Sequence, residues 1–133
     1  MLTAEDIMTG EVLSVKKDTP AREAIELMLI HQIAGLPVVE DDMTLVGIIT
    51  EKDIIKLYKL ADGEQMLTVG DYMTRPAVCF EQDEQFEAIC ECLIHSDFRR
   101  VPIVSNGKLV GIISRPDVAE HILGNISRVA TNK

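Results

Sequence analysis

The 133 residues predict an α+β fold: two copies of one β-α-β-β-α unit, packed about a pseudo-twofold axis. Three observations point there. First, the chain repeats itself. Asp6-Ile7-Met8-Thr9 returns as Asp71-Tyr72-Met73-Thr74 and Leu36-Pro37-Val38-Val39 as Val101-Pro102-Ile103-Val104, both 65 residues on, while Val46-Gly47-Ile48-Ile49-Thr50-x-x-Asp53 returns as Val110-Gly111-Ile112-Ile113-Ser114-x-x-Asp117 after 64. Second, each copy alternates short apolar runs with segments of helical period. Third, 47% apolar and 26% charged residues suit a packed core, yet about 60 residues alone bury too little surface, so the two copies need each other.

Each copy reads in the same order. A short strand comes first, at 12–15 and 77–80. An amphipathic helix follows: Ala24, Ile25, Met28, Leu29 and Gln32 step at helical spacing in copy one, and Ile89, Cys90, Leu93 and Ile94 in copy two. It ends near Gln32 or Asp97. A hairpin comes next, 36–40 with 45–50 and 101–105 with 109–114. The second copy's turn is Asn106-Gly107, the strongest short hairpin signal. A closing helix spans 52–60 and 116–123. The strands are nearly all apolar, so the sheets are expected to be covered on both faces or packed against each other. The copies divide the chain into 1–66, with 61–66 as linker, and 67–124, leaving a polar tail at 125–133 expected to be disordered.

Composition closes off several functions. A formal net charge of −9 works against a phosphate backbone, so nucleic-acid binding is not expected. The longest apolar stretches, Leu27-Met28-Leu29-Ile30 and residues 33–39, fall far short of the roughly 18–20 residues of a membrane span, and residues 1–20 lack a signal-peptide apolar run. Three cysteines, an odd number, make no disulfide framework and suggest a reducing cytoplasm. Cys90-x-Cys92 on a helix points its thiols apart, and His31, His95 and His121 are scattered, so no metal site is expected. Met28 reads as core and Asp41-Asp42 as a solvated turn. There is no nucleophile elbow, P-loop or paired catalytic carboxylate, and no enzyme is expected.

The sharpest motif is Thr50-Glu51-Lys52-Asp53 and its echo Ser114-Arg115-Pro116-Asp117, each between a strand and a helix. Ser/Thr-x-x-acid at a helix start is a capping box, and Pro116 suits a first helical turn. The same residues also suit a nucleotide: helix N–H groups and the hydroxyl for a phosphate, the carboxylate for two ribose hydroxyls. Both roles fit the residues.

These motifs, three in order and twice over from residue 3 to about 124, resemble the cystathionine-β-synthase (CBS) domain, two of which in tandem make a CBS pair or Bateman module. The resemblance implies two clefts between the repeats that bind adenosyl ligands such as AMP, ADP, ATP or S-adenosylmethionine. It carries the ribose role to Asp53 and Asp117 and the phosphate-side hydroxyl to Thr50 and Ser114. The Asp117 cleft would include Val12, Leu13, Ile33, Ala34 and Gly35, with Arg99 and Arg100 near the phosphates. The Asp53 cleft would include Ala77, Val78, Phe98 and Arg99, with Lys52 beside it.

Charge separates the two. Residues 1–66 carry 6 basic and 13 acidic side chains, residues 67–133 carry 7 and 9. Arg99, Arg100 and Arg115 cluster around the second motif, so the Asp117 cleft is expected to be the better phosphate site. The expected function is a non-catalytic adenosyl-ligand sensor, a homodimer through its helices, signalling to a protein effector in trans. The alternative is an interaction or dimerisation module with no nucleotide bound.

Overall fold

The computed structural model describes the backbone of residues 1–59 and 67–131 and side chains up to Asn125; the expected linker at 61–66 and the last two residues of the expected tail lie outside the described residues. The elements form two three-stranded sheets, one of β1 (Val15–Lys16), β2 (Gly35–Val39) and β3 (Leu45–Thr50), the other of β4 (Phe80–Glu81), β5 (Arg100–Ser105) and β6 (Lys108–Ser114). Helices α1 (Ala4–Ile7), α2 (Ala21–His31), α3 (Glu51–Tyr58), α4 (Val69–Tyr72), α5 (Phe86–His95) and α6 (Arg115–Thr131) lie between and after them. This is the α+β class expected.

The chain packs as two compact units, one of Leu13–Ala77 with Gly107–Leu109, the other of Met1–Val12, Val78–Asn106 and Val110–Lys133. These are not the two sequence repeats. The first twelve residues join the body of the second repeat, and the residues that open the second repeat, through Ala77, join the body of the first.

In the Leu13–Ala77 unit, β2 is buried along its whole length. It pairs antiparallel with β3 and parallel with β1, Val15 opposite Val38 and Lys16 opposite Val39. The strand expected at 12–15 is therefore shorter and displaced toward Lys16. The next residue along β2 is Pro37, which has no N–H to extend the ladder. α2 ends at Gln32 in the left-handed region, φ 54°. Its Ala24 and Met28 pack with Val15, Leu36, Val38, Ile49 and Val69 into one core.

The free edge of β3 is continued by the residue that opens the second repeat. Ile48 N–H donates to the Thr74 carbonyl at 2.9 Å, and Thr74 N–H returns to Ile48 at 2.8 Å. Gly47 makes this possible, since a Cβ there would stand 2.8 Å from the Thr74 carbonyl oxygen and 3.0 Å from Met73 Sδ. The repeated Met-Thr and Val-Gly-Ile-Ile motifs are thus partners in space.

The other unit repeats the plan. β4 pairs with β5 as Phe80–Ile103 and Glu81–Val104, ending against Pro102, so the strand expected at 77–80 is displaced in the same way. Ala4, Ile89, Leu93, Val101, Ile103 and Ile113 form its core. Thr9 and Ile112 exchange backbone hydrogen bonds of 2.9 and 3.0 Å, and a Cβ on Gly111 would overlap Met8. Asn106 and Gly107 both take positive φ, 52° and 82°, as the Asn-Gly hairpin requires.

Two expectations need correction. The closing helix runs on to Thr131, so residues 125–131 of the expected disordered tail are helical. Gly124 has a low helix propensity but lies in the interior of α6 and does not end it. The short helices α1 and α4 were unexpected. Each is opened by the motif already noted elsewhere: Thr3 with Asp6, and Thr68 with Asp71, form capping boxes.

Candidate functional site

The strand–helix junctions β3–α3 and β6–α6 hold the two motifs. Each helix start is tied to the start of a strand in its own unit: Glu51 N–H donates to the Ala34 carbonyl at 3.0 Å, and Arg115 N–H to the Arg99 carbonyl at 2.9 Å. This brings Ala34, Gly35, Thr50, Lys52 and Asp53 together in one unit and Arg99, Arg100, Ser114, Arg115 and Asp117 in the other. Ile33 is half-buried against its unit's core. Leu13, Val78 and Phe98 are exposed apolar residues; Val12 and Ala77 are half-buried.

Both motifs are capping boxes. Thr50 N–H donates to Asp53 Oδ2 at 2.9 Å, and Ser114 N–H to Asp117 Oδ2 at 2.9 Å. Asp53 N–H and Asp117 N–H return to the Thr50 and Ser114 hydroxyl oxygens at 3.4 and 3.2 Å. With Thr3–Asp6 and Thr68–Asp71 the carboxylate-to-N–H bond of this box occurs four times among the described residues, so the box alone marks no ligand.

What distinguishes the two motifs is the rest of the carboxylate. Asp53 is 1% exposed. Its Oδ2 also accepts from the Thr50 hydroxyl at 3.0 Å, and the Thr74 hydroxyl covers both its oxygens at 2.9 and 3.1 Å. Lys56 Nζ stands 3.5 Å from Oδ1. Asp117 is half-exposed. Among the described residues no donor reaches its Oδ1, and the Ser114 hydroxyl donates to nothing.

The positive groups divide as well. Arg115 donates from its guanidinium to the carbonyls of Phe98 at 3.0 Å, Ser96 at 3.1 Å and Leu93 at 3.4 Å. It braces the end of α5 and the loop after it, where a cation offsets the free carbonyls. Arg99 is exposed, and Arg100 is half-buried with its Nε out of water and, among the described residues, without a partner. A buried donor left unmet costs about 1–3 kcal/mol, so this nitrogen is set up for an acceptor.

One expected role fails. The N-terminal N–H groups of α6 are not available to a phosphate: that of Arg115 is held by Arg99, Pro116 has none, and that of Asp117 is held by Ser114. The groups this unit leaves uncommitted beside the motif are the side chains of Arg99 and Arg100 and the Ser114 hydroxyl, among the described residues.

The remaining candidates sit apart. Cys79, Cys90 and Cys92 are unpaired. Burial pushes the Cys79 thiol up, with Glu81 adding to it; burial, then Glu87 and Glu91, do the same for Cys90. His95 lies 3.2 Å from Glu91, and His121 stacks edge-on against Phe86. Among the described residues no group of three His, Cys, Asp or Glu could hold a metal ion. No helix among them is long and apolar enough to cross a membrane.

Comparison with known proteins follows this geometry. The CBS domain model matches residues 4–60 and 69–124. Protein MJ1225 of Methanocaldococcus jannaschii is 35% identical over 84% of this chain, which spans 40% of that protein's length. The crystal structure of CBSX2, a CBS-pair protein of Arabidopsis thaliana, in complex with AMP superposes with a TM-score of 0.81 at 33% identity, covering 92% of this chain and 96% of that one. The CBS domain pair of protein MJ0100, solved with 5′-methylthioadenosine and S-adenosyl-L-methionine, superposes with a TM-score of 0.76 at 27% identity, covering 93% and 98%. Two matched repeats, each built of the same strands and capped helix, make this chain a tandem pair of the CBS domain family.

Proposed function

We propose that this chain is a non-catalytic regulatory module that binds an adenosyl ligand, chiefly through the Ser114–Asp117 motif. One observation carries the reading. Asp117 keeps an oxygen free to accept from ribose hydroxyls, beside an uncommitted Ser114 hydroxyl and the unpartnered Nε of Arg100. A carboxylate, a hydroxyl and two arginines form a set suited to a ribose with an anionic group. The AMP complex of CBSX2 and the methylthioadenosine and S-adenosylmethionine complex of MJ0100 support the ligand class.

Exposed apolar residues on the helices support assembly as a homodimer: Leu29 and Ile30 on α2, Ile55 and Tyr58 on α3, Ile94 on α5, Ile122 and Leu123 on α6. The output is a partner acting in trans, reached by a ligand that favours one packing of the module over another. Unpaired cysteines suit a cytoplasmic setting.

The test is a thermal-shift screen against AMP, ADP, ATP, NAD and S-adenosylmethionine. A ligand at about 100 times its Kd adds about 2.7 kcal/mol of stability. The shift is expected to disappear in Asp117→Asn and to weaken in Arg100→Ala. No shift with any ligand would favour an interaction module without nucleotide, and an unaltered affinity in Arg100→Ala would remove the arginine from the site.

A further inference from the structure

The first motif looks equivalent in sequence but not in space, and the difference lies in one residue from the opening of the second repeat. We infer that Thr74 is a latch that keeps the Asp53 motif closed to ligand, so that the module binds one adenosyl ligand and not two. The inference rests on the adenosyl-ligand reading of the Ser114–Asp117 motif.

A ribose-binding carboxylate must offer acceptor positions to two hydroxyls at once. Asp53 has at most one to spare. Oδ2 already takes the Thr50 N–H, the Thr50 hydroxyl and, at 3.1 Å, the Thr74 hydroxyl; Oδ1 takes the Thr74 hydroxyl at 2.9 Å with Lys56 Nζ at 3.5 Å. Thr74 is held there by its own backbone exchange with Ile48 and by Met73 lying over Gly47. A ligand would have to displace a hydroxyl whose backbone is fixed in the sheet. The matching residue of the other unit, Thr9, has the same backbone exchange with Ile112. Among the described residues, however, its hydroxyl does not reach Asp117. A threonine hydroxyl on the carboxylate thus separates a closed motif from an open one.

The experiment is calorimetric titration of the full chain with AMP, which reads ligands bound per chain. Wild type is expected to bind one, Thr74→Val two, and Thr74→Ser, which keeps the hydroxyl, one. Asp53→Asn in the Thr74→Val chain should return the count to one. If Thr74→Val does not fold, as judged by circular dichroism, Thr74→Ala takes its place. A wild type that binds two, or a folded Thr74→Val or Thr74→Ala chain that gains no site, overturns the latch while leaving the Asp117 reading intact. A wild type that binds none overturns the Asp117 reading; a site gained in Thr74→Val would then still support the latch, and no gain would refute both.

Discussion

Two aspartates that look alike in sequence are expected to differ sharply in what they contribute to stability. Asp53→Ala strips an acceptor from Thr50 N–H and from the Thr50 and Thr74 hydroxyls, at a position 1% exposed. Loss of a negative charge from the first turn of α3 costs up to about 1 kcal/mol. A buried donor left unmet adds about 1–3 kcal/mol, and since both hydroxyls can turn to other acceptors only the Thr50 N–H is counted. The total is about 3 kcal/mol. Asp117→Ala removes one N–H acceptor and a first-turn negative charge at a half-exposed site where water can replace the acceptor, at a cost of about 1 kcal/mol. At about 4 °C per kcal/mol for a chain of this size, unfolding followed by circular dichroism without ligand should show losses of about 12 °C and about 4 °C. With AMP present the order of importance reverses, because Asp117 is the residue placed to hold the ligand. Equal losses in the two variants, or a larger one in Asp117→Ala, would refute the claim that Asp53 is a structural carboxylate.

Two further predictions follow from the openings of the repeats. Gly111→Ala drives a methyl into Met8, 2.7 Å from its Cγ and 3.0 Å from its Cβ. Overpacking of this kind costs about 1–3 kcal/mol, and Met8→Ala in the same chain should recover part of it in urea unfolding; no recovery would mean the two residues do not meet. Hydrogen bonds from Thr3, its N–H first and its hydroxyl second, hold Asp6 below the ordinary 3.8. A carboxyl with a lowered folded pKa contributes stability above its unfolded value and loses it as pH falls through the folded one. The urea midpoint of Asp6→Asn should therefore lie below wild type at neutral pH and converge with it in acid, and a gap that stays constant would rule out the titration.

Much of this fold was legible because its signals are local. The hairpins, the Asn106-Gly107 turn and the helical spacing of α2 and α5 come from neighbours within a few residues. The two lead strands were misplaced because their length is set by a distant proline on the strand they join, Pro37 or Pro102. The partnership of Met73-Thr74 with Gly47 was hidden for the same reason: both motifs are visible, but nothing in their spacing says which copy meets which. At the site, Asp53 and Asp117 stand out by residue type. Their inequality does not, because it depends on whether a threonine hydroxyl 21 residues from Asp53 turns onto its carboxylate. Arg115 likewise reads as a phosphate ligand until its three carbonyl partners are seen.

The exchange of lead segments has a consequence for how such a chain can be divided. A fragment ending after the first repeat would hold an open edge at Gly47 and Ile48, without Met73 and Thr74, and a lead helix with no Gly111 edge to lie on. Two such fragments could satisfy each other only by trading leads between chains. Joining the repeats in one chain turns that trade into an intramolecular event at an effective concentration on the order of millimolar. The half that recurs in the sequence is therefore not a half that can stand alone, and neither repeat is a transplantable part.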